Sequence, residues 1–162
     1  PITSGHSLPR PSAHHLREAG NWAQDSRAEL RENLVYMTPE PLDMISIHVY
    51  PHARDKRFGE DSVDYEAIFG EARQAADATG KGLFVGEFGP PPDDAAPWTR
   101  DSAREEGERM VTALLASPVQ LAAFWVFDFS WQEASMSVTA TNHRSGYLKI
   151  LQAANRHLAA RP

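Results

Sequence analysis

The feature of this sequence that most restricts its fold is an alternation. Short apolar runs rich in β-branched and aromatic residues take turns with longer stretches whose apolar residues recur every three or four positions. Residues 43–50 (DMISIHVY), 82–88 (GLFVGEF) and 119–127 (VQLAAFWVF) read as strands. Residues 64–79 read as a helix, with Tyr65, Ile68, Phe69, Ala72, Ala75 and Ala76 on one face and Gly80 as its stop. A second helix is expected over 99–116, capped by Thr99 or Asp101, with Met110, Val111, Leu114 and Leu115 as its stripe. A last one starts near Tyr147 and buries Leu148, Leu151, Ala154 and Leu158. Toward the N-terminus, residues 1–6 read as a strand. A helix is expected to begin near Ser26, where Ser26 and Glu29 have the capping-box spacing.

Four β-α units in a row imply a parallel sheet, because each strand needs a helical crossover to return in the same direction. Two closures compete. One is a small doubly wound sheet; the other is half of a (β/α)8 barrel, whose usual size is about 250 residues. A chain of 162 residues, divided into four units of about 40 residues, suits the second. The expectation is therefore one unit spanning residues 1–162. The start at Pro1, with no signal peptide in view, suits a stretch of a longer protein.

Composition removes several functions. With 22 Asp+Glu against 16 Lys+Arg and a net charge of −6, no basic patch exists to meet nucleic acid. No apolar run is long enough to span a membrane. The absence of Cys excludes disulfides, thiolate metal sites and a cysteine nucleophile.

Side chains along a strand alternate between its faces. In 43–50 this puts Ile45, Ile47 and Val49 on one side and Met44, Ser46, His48 and Tyr50 on the other. Strict alternation in 82–88 groups Leu83, Val85 and Glu87 against Phe84 and Phe88. In 119–127 it groups Leu121, Ala123, Trp125 and Phe127, in a run apolar on both faces, as expected of a strand covered by helices. Glu87 is a lone carboxylate at the end of an apolar strand, between Gly86 and Gly89. A buried carboxylate is costly unless it is paired or used. It is either a water-facing or Arg-paired residue or a catalytic one. Trp125 is either core or a stacking platform for a sugar ring.

His48, His52, Glu87 and Asp128 are residue types that bind zinc or iron. Pro51 separates the two histidines, so no helix presents them together, and no metal site is expected. The His14-His15 and Asp93-Asp94 pairs read as solvated loop residues. Trp98 and Trp131 fall in loops after the last two strands, and His6 and Arg10 follow the first. All four are candidates for lining a cleft at the strand ends.

Three of these segments, taken in order, resemble the C-terminal half, strands five to eight, of a retaining glycoside hydrolase of the cellulase/mannanase type, glycoside hydrolase family 5 and its clan. Asp43-Met-Ile-Ser-Ile-His48-Val-Tyr50-Pro51 is similar to the sixth strand, Gly82-Leu-Phe-Val-Gly-Glu87-Phe-Gly89 to the seventh and Ala122-Ala-Phe-Trp125-Val-Phe to the eighth. Gly146 to Asn155 is similar to the closing helix, and residues 1–40 match only loosely. The resemblance implies Glu87 as nucleophile, Tyr50 as its hydrogen-bond donor, His48 on a sugar hydroxyl and Trp125 beneath the sugar. The family's acid/base, a Glu after an Asn, has no counterpart here, since Glu32-Asn33 is in the reverse order. It is expected upstream, leaving the fragment inactive alone.

No cofactor is expected, because two carboxylates suffice for this chemistry. The resemblance implies a carbohydrate partner and a secreted or cell-envelope location, and leaves the sugar and linkage open. The alternative is a non-catalytic or degenerate carbohydrate-binding barrel fragment. Phosphorylated substrates are disfavoured, because Gly89-Pro-Pro-Pro offers few backbone N–H groups. Half a barrel leaves open sheet edges, through which the chain is expected to self-associate.

Overall fold

The computed structural model describes residues 1–92, 96–133 and 135–160; Asp93 and Asp94 lie outside them. In chain order the elements are α1 (Ala13–Ala19), α2 (Arg27–Tyr36), β1 (Met44–Val49), β2 (Asp55–Arg57), β3 (Glu60–Ser62), α3 (Tyr65–Thr79), β4 (Gly82–Phe88), α4 (Arg100–Ala116), β5 (Leu121–Phe124) and α5 (Gly146–Ala159). Short 3-10 turns cover Pro51–Arg54 and Ser130–Gln132.

The main sheet is parallel and ordered β1-β4-β5. Thr3 adds a parallel bridge to Met44 on the other side of β1. Ile2 reinforces it, donating its N–H to Asp43 Oδ2 at 2.8 Å and accepting the Asp43 N–H at 2.9 Å. Spatial order thus follows chain order from residue 3 to residue 124. A doubly wound sheet reverses order at its switch point; this one does not. The fold is an open, singly wound α/β sheet, a partial barrel rather than a closed one.

Successive helices pack on one another, α1 on α2, α2 on α3, α3 on α4 and α4 on α5. The core between helices and sheet contains Ile45, Ile47, Val49, Leu83 and Val85 from the strands and Ile68, Phe69, Ala72 and Ala76 from α3, none of them exposed. Helix ends follow local chemistry. Ser26 and Glu29 form the expected capping box. The Thr99 hydroxyl accepts the Ser102 N–H, and the Ser102 hydroxyl accepts the Thr99 N–H. Gly80 ends α3 in the left-handed conformation, φ 66°.

Several expectations change. The strand over 1–6 shrinks to the Thr3 bridge. β5 covers only 121–124, and its Leu121, Ala122 and Ala123 are exposed instead of covered on both faces. The cause is position: β5 is the outer strand of the sheet among the described residues. For the same reason α5 buries only Tyr147 fully, and Leu158 is 45% exposed. Helix α1 and the β2–β3 hairpin were not expected. The first is seven residues long, too short to show a period. The second pairs DKR with EDS, which lacks apolar alternation. The hairpin is held by buried Arg57, whose guanidinium bonds the carbonyls of Ala53 and, at 2.7 Å, Pro9. His14 and His15 belong to α1 and are half-buried, so they are not solvated loop residues.

Candidate active site

The site forms where β1 and β4 end. Their register pairs Ile45 with Leu83 and Ile47 with Val85, then slips, so that His48 pairs with Glu87 and Val49 with Phe88. The β4–β5 ladder slips at the same place, pairing Val85 with Ala122 but Phe88 with Phe124. Gly86 is thus an extra residue on β4, a β-bulge, and it reverses the alternation beyond it. Glu87 therefore does not share a face with Leu83 and Val85, as strict alternation implied. Phe88 does, and is only 4% exposed. Glu87 turns to the side of His48.

Glycines make room for this. A Cβ on Gly86 would stand 3.0 Å from both His48 Nε2 and Ser46 Oγ. One on Gly89 would stand 2.5 Å from the Trp125 carbonyl oxygen, closer than any real contact. Backbone therefore crosses backbone directly behind Glu87, and the Trp125 N–H donates to the Phe88 carbonyl at 2.8 Å. The Trp125–Val126 peptide is cis.

Tyr50 Oη donates to Glu87 Oε2 at 2.7 Å, and His48 Nδ1 lies 3.4 Å from the same oxygen. Burial, and then the bond to Glu87, raises the Tyr50 pKa well above that of an ordinary tyrosine. The phenol therefore holds its proton for the bond to Glu87 to a higher pH than an ordinary tyrosine would. Glu87 pairs with no Lys or Arg among the described residues, and its side chain is 26% exposed. Its Oε1 has no hydrogen-bond partner among the described residues.

The His52 ring stacks on Tyr50, with centroids 6.2 Å apart and planes 7° from parallel. Beside them opens a cavity of about 350 Å³ lined by Tyr50, His52, Pro90, Trp98 and Met136, among others. Trp98 is thus brought next to the Tyr50–Glu87 pair. Trp125 is half-buried on the neighbouring strand end. Its ring is fixed by Nε1 donating to Gln132 Oε1 at 2.8 Å and by an edge contact with Phe129 at 6.0 Å.

The remaining candidates make their contacts elsewhere. Trp131 is 89% exposed. His6 Nδ1 bonds Ser4 Oγ at 2.8 Å, and the Arg10 guanidinium lies 5.9 Å from the Trp22 ring. His48, His52, Glu87 and Asp128 do not converge as a metal-ligating cluster. Met136 escaped the sequence reading altogether. It stands in a loop with no motif, and only the chain's return path brings it to Tyr50.

The arrangement presents one carboxylate oxygen held by a phenol, its twin free, and an aromatic-walled space alongside. No family model and no curated protein matches the sequence. Among solved structures, the chain is similar to an endo-β-1,4-mannanase from Thermotoga petrophila, with 16% identity over 86% of this chain and 30% of that one and a TM-score of 0.47. It is also similar to a hyperthermostable endo-1,4-β-D-mannanase from Thermotoga petrophila RKU-1 (16% identity, 94% of this chain, 42% of that one, TM-score 0.47). An endoglucanase from Pseudomonas stutzeri aligns at 18% identity over 86% of this chain and 40% of its own, with a TM-score of 0.43. The chain spans less than half the length of each.

Proposed function

We propose that this chain carries the nucleophile half of a retaining β-glycosidase acting on a β-linked poly- or oligosaccharide, with Glu87 as the nucleophile. The observation that supports this most is the 2.7 Å bond from Tyr50 to Glu87 Oε2, on a carboxylate that no Lys or Arg neutralises among the described residues. A carboxylate without a cation keeps its electron pair for an incoming electrophile.

In this reading Glu87 Oε1 attacks the anomeric carbon as the glycosidic C–O bond breaks. The departing oxygen takes its proton from a second carboxyl about 5–5.5 Å away. Water then hydrolyses the glycosyl ester, with that second group as base. In this reading the second carboxyl would come from another part of the barrel, continuing the sheet. Tyr50 keeps Glu87 aimed and His48 bonds a sugar hydroxyl. Trp125 and Trp98 provide apolar surfaces for the ring. The outer edge of β5 is where the rest of the barrel, or a second copy, would dock.

The test is intact mass after incubation with 2-fluoro dinitrophenyl β-glycosides of the gluco, manno and xylo series, using the complete protein. These substrates carry a leaving group that departs with little acid assistance. A stable adduct mapped to Glu87 and absent in Glu87→Gln is the expected result. No adduct from any series, on folded protein, would leave the site as a carbohydrate-binding one.

A further inference from the structure

A second group of chemically capable side chains lies in the N-terminal part, apart from the strand ends. Here α1 packs on the start of α2. His14 and His15 project from α1, Asp25 from the loop before α2 and Glu29 from its first turn. His14, His15 and Asp25 each offer a ligand atom, and these atoms lie within 4.8 Å of one another. Glu29 Oε1 stands 3.7 Å from His14 Nδ1 and 3.6 Å from His15 Nε2.

The surroundings orient every member. Asp25 is 4% exposed, and its two oxygens accept the backbone N–H groups of His14 (2.8 Å) and His15 (3.1 Å). Its Oδ1 also lies 2.8 Å from His15 Nδ1. Glu29 Oε2 accepts the Ser26 N–H at 2.7 Å, which leaves Oε1 to face the histidines. The Ser26 bonds hold the Glu29 carboxyl below the usual carboxylate range. His14 Nε2 lies 3.2 Å from Glu32 Oε2, which leaves Nδ1 as the ring nitrogen turned toward Glu29 Oε1. His14 Nδ1 is shielded from solvent and has no hydrogen-bond partner. Three carboxylates, Asp25, Glu29 and Glu32, thus face two imidazoles, and among the described residues no Lys or Arg is ion-paired with any of them. The Asp25 charge also acts on buried Arg57.

We propose that His14, His15 and Asp25 bind one divalent transition-metal ion of the zinc class, tying α1 to the loop that leads into α2. Two imidazole nitrogens and one carboxylate oxygen, with a water as the fourth donor, form a set that zinc accepts in tetrahedral geometry. Bonds of about 2.0–2.1 Å require donor–donor edges of roughly 3.4 Å. The ligand atoms of His14, His15 and Asp25 lie within 4.8 Å of one another, with His15 Nδ1 and Asp25 Oδ1 at 2.8 Å, on either side of that value. Carboxylates that hold the ligating imidazoles by their other nitrogen are the usual support of such a site. The ion is structural in this role and independent of Glu87.

The test is titration calorimetry of chelator-treated protein with ZnCl2, together with melting curves with and without zinc. The expected result is one ion per chain, bound tighter than about 10 μM, and a raised melting temperature. Glu29→Gln keeps the capping box, because Gln serves at that position too, and His15→Gln keeps a polar side chain. Each is expected to weaken binding at least about tenfold. His157→Ala, on α5, is expected to leave it unchanged. The proposal fails if zinc does not bind, if Mg²⁺ binds as tightly, if Glu29→Gln and His15→Gln bind like the unaltered protein, or if His157→Ala weakens binding as much as they do.

Discussion

Two tyrosine–glutamate pairs can be compared among the described residues, one at the strand ends and one in the helix layer. Tyr50 donates to Glu87 at 2.7 Å, and Tyr65 donates to Glu106 at 2.5 Å. Burial raises both phenols well above the ordinary tyrosine value. The carboxylates differ. Glu106 has a side chain 2% exposed, and it is also held by Arg109 and by Arg54 at 3.4 Å. Glu87 is 26% exposed and, among the described residues, has only His48 besides its tyrosine. Glu106 is a closed network in which each charge is answered, and its yield is stability. Glu87 is left partly unanswered, which suits a group that reacts. Proximity to a tyrosine therefore does not mark a site; the missing guanidinium does.

The sharpest way to break this comparison is to remove each carboxylate in turn. Glu106→Ala leaves the buried Tyr65 phenol without its acceptor and half-buried Arg54 without its buried carboxylate, and is expected to cost about 2–4 kcal/mol in urea unfolding. Glu87→Ala, at a partly solvated position, is expected to cost less than about 1 kcal/mol. Equal costs would erase the distinction.

Next in size is Gly89→Ala, where the added methyl meets the Trp125 carbonyl. An expected loss of about 1–3 kcal/mol, with disturbed Trp fluorescence, would tie Glu87's placement to that backbone crossing. A fully tolerated methyl would show that the crossing is loose.

Removing the phenol oxygens probes the pairs from the other side. Tyr65→Phe leaves buried Glu106 short of a donor, and about 1–3 kcal/mol is expected to be lost. Tyr50→Phe is expected to cost about 0.5–1.5 kcal/mol in stability, but to slow adduct formation at Glu87 if that group is the nucleophile. A Tyr50→Phe protein labelled at the original rate would remove Tyr50 from the mechanism.

The smallest effect concerns alkaline pH. Both tyrosines have folded pKa values above the ordinary 10.0. Below pH 10 both folded and unfolded chains hold these protons, so the stabilisation is complete. Above it the unfolded chain releases them first, and stability falls as pH rises. Melting temperatures measured from pH 8 upward are expected to be flat and then to decline past about pH 10, less steeply in Tyr65→Phe. An identical decline in that variant would assign the slope to other groups.

Much of the fold was legible because each long element states its own period. β1, α3, β4 and α4 fall within a residue of the spans their patterns imply, and Ser26-x-x-Glu29 and Gly80 mark helix ends by local hydrogen bonding and backbone freedom. Elements without a period of their own were not legible. α1 is short and polar, and the β2–β3 hairpin depends on Arg57 reaching back to Pro9. The candidate site divides the same way. Glu87, Tyr50, His48 and Trp98 could be picked out by residue type and by place at a strand end or in the following loop. Met136 and the His14–His15–Asp25–Glu29 cluster could not, because their members come from separate elements.

By itself the sequence determined which of the long stretches become strand and helix, and that the main-sheet strands run parallel, since apolar period and connection length are properties of the local chain. The tertiary structure alone decided which way Glu87 points. Gly82-Leu-Phe-Val-Gly-Glu87-Phe is compatible with either parity. Only pairing with β1 on one side and β5 on the other inserts Gly86 as an extra residue and turns the carboxylate toward Tyr50 and His48. A bulge is chosen by the register of neighbouring strands, and register is a property of the assembled sheet.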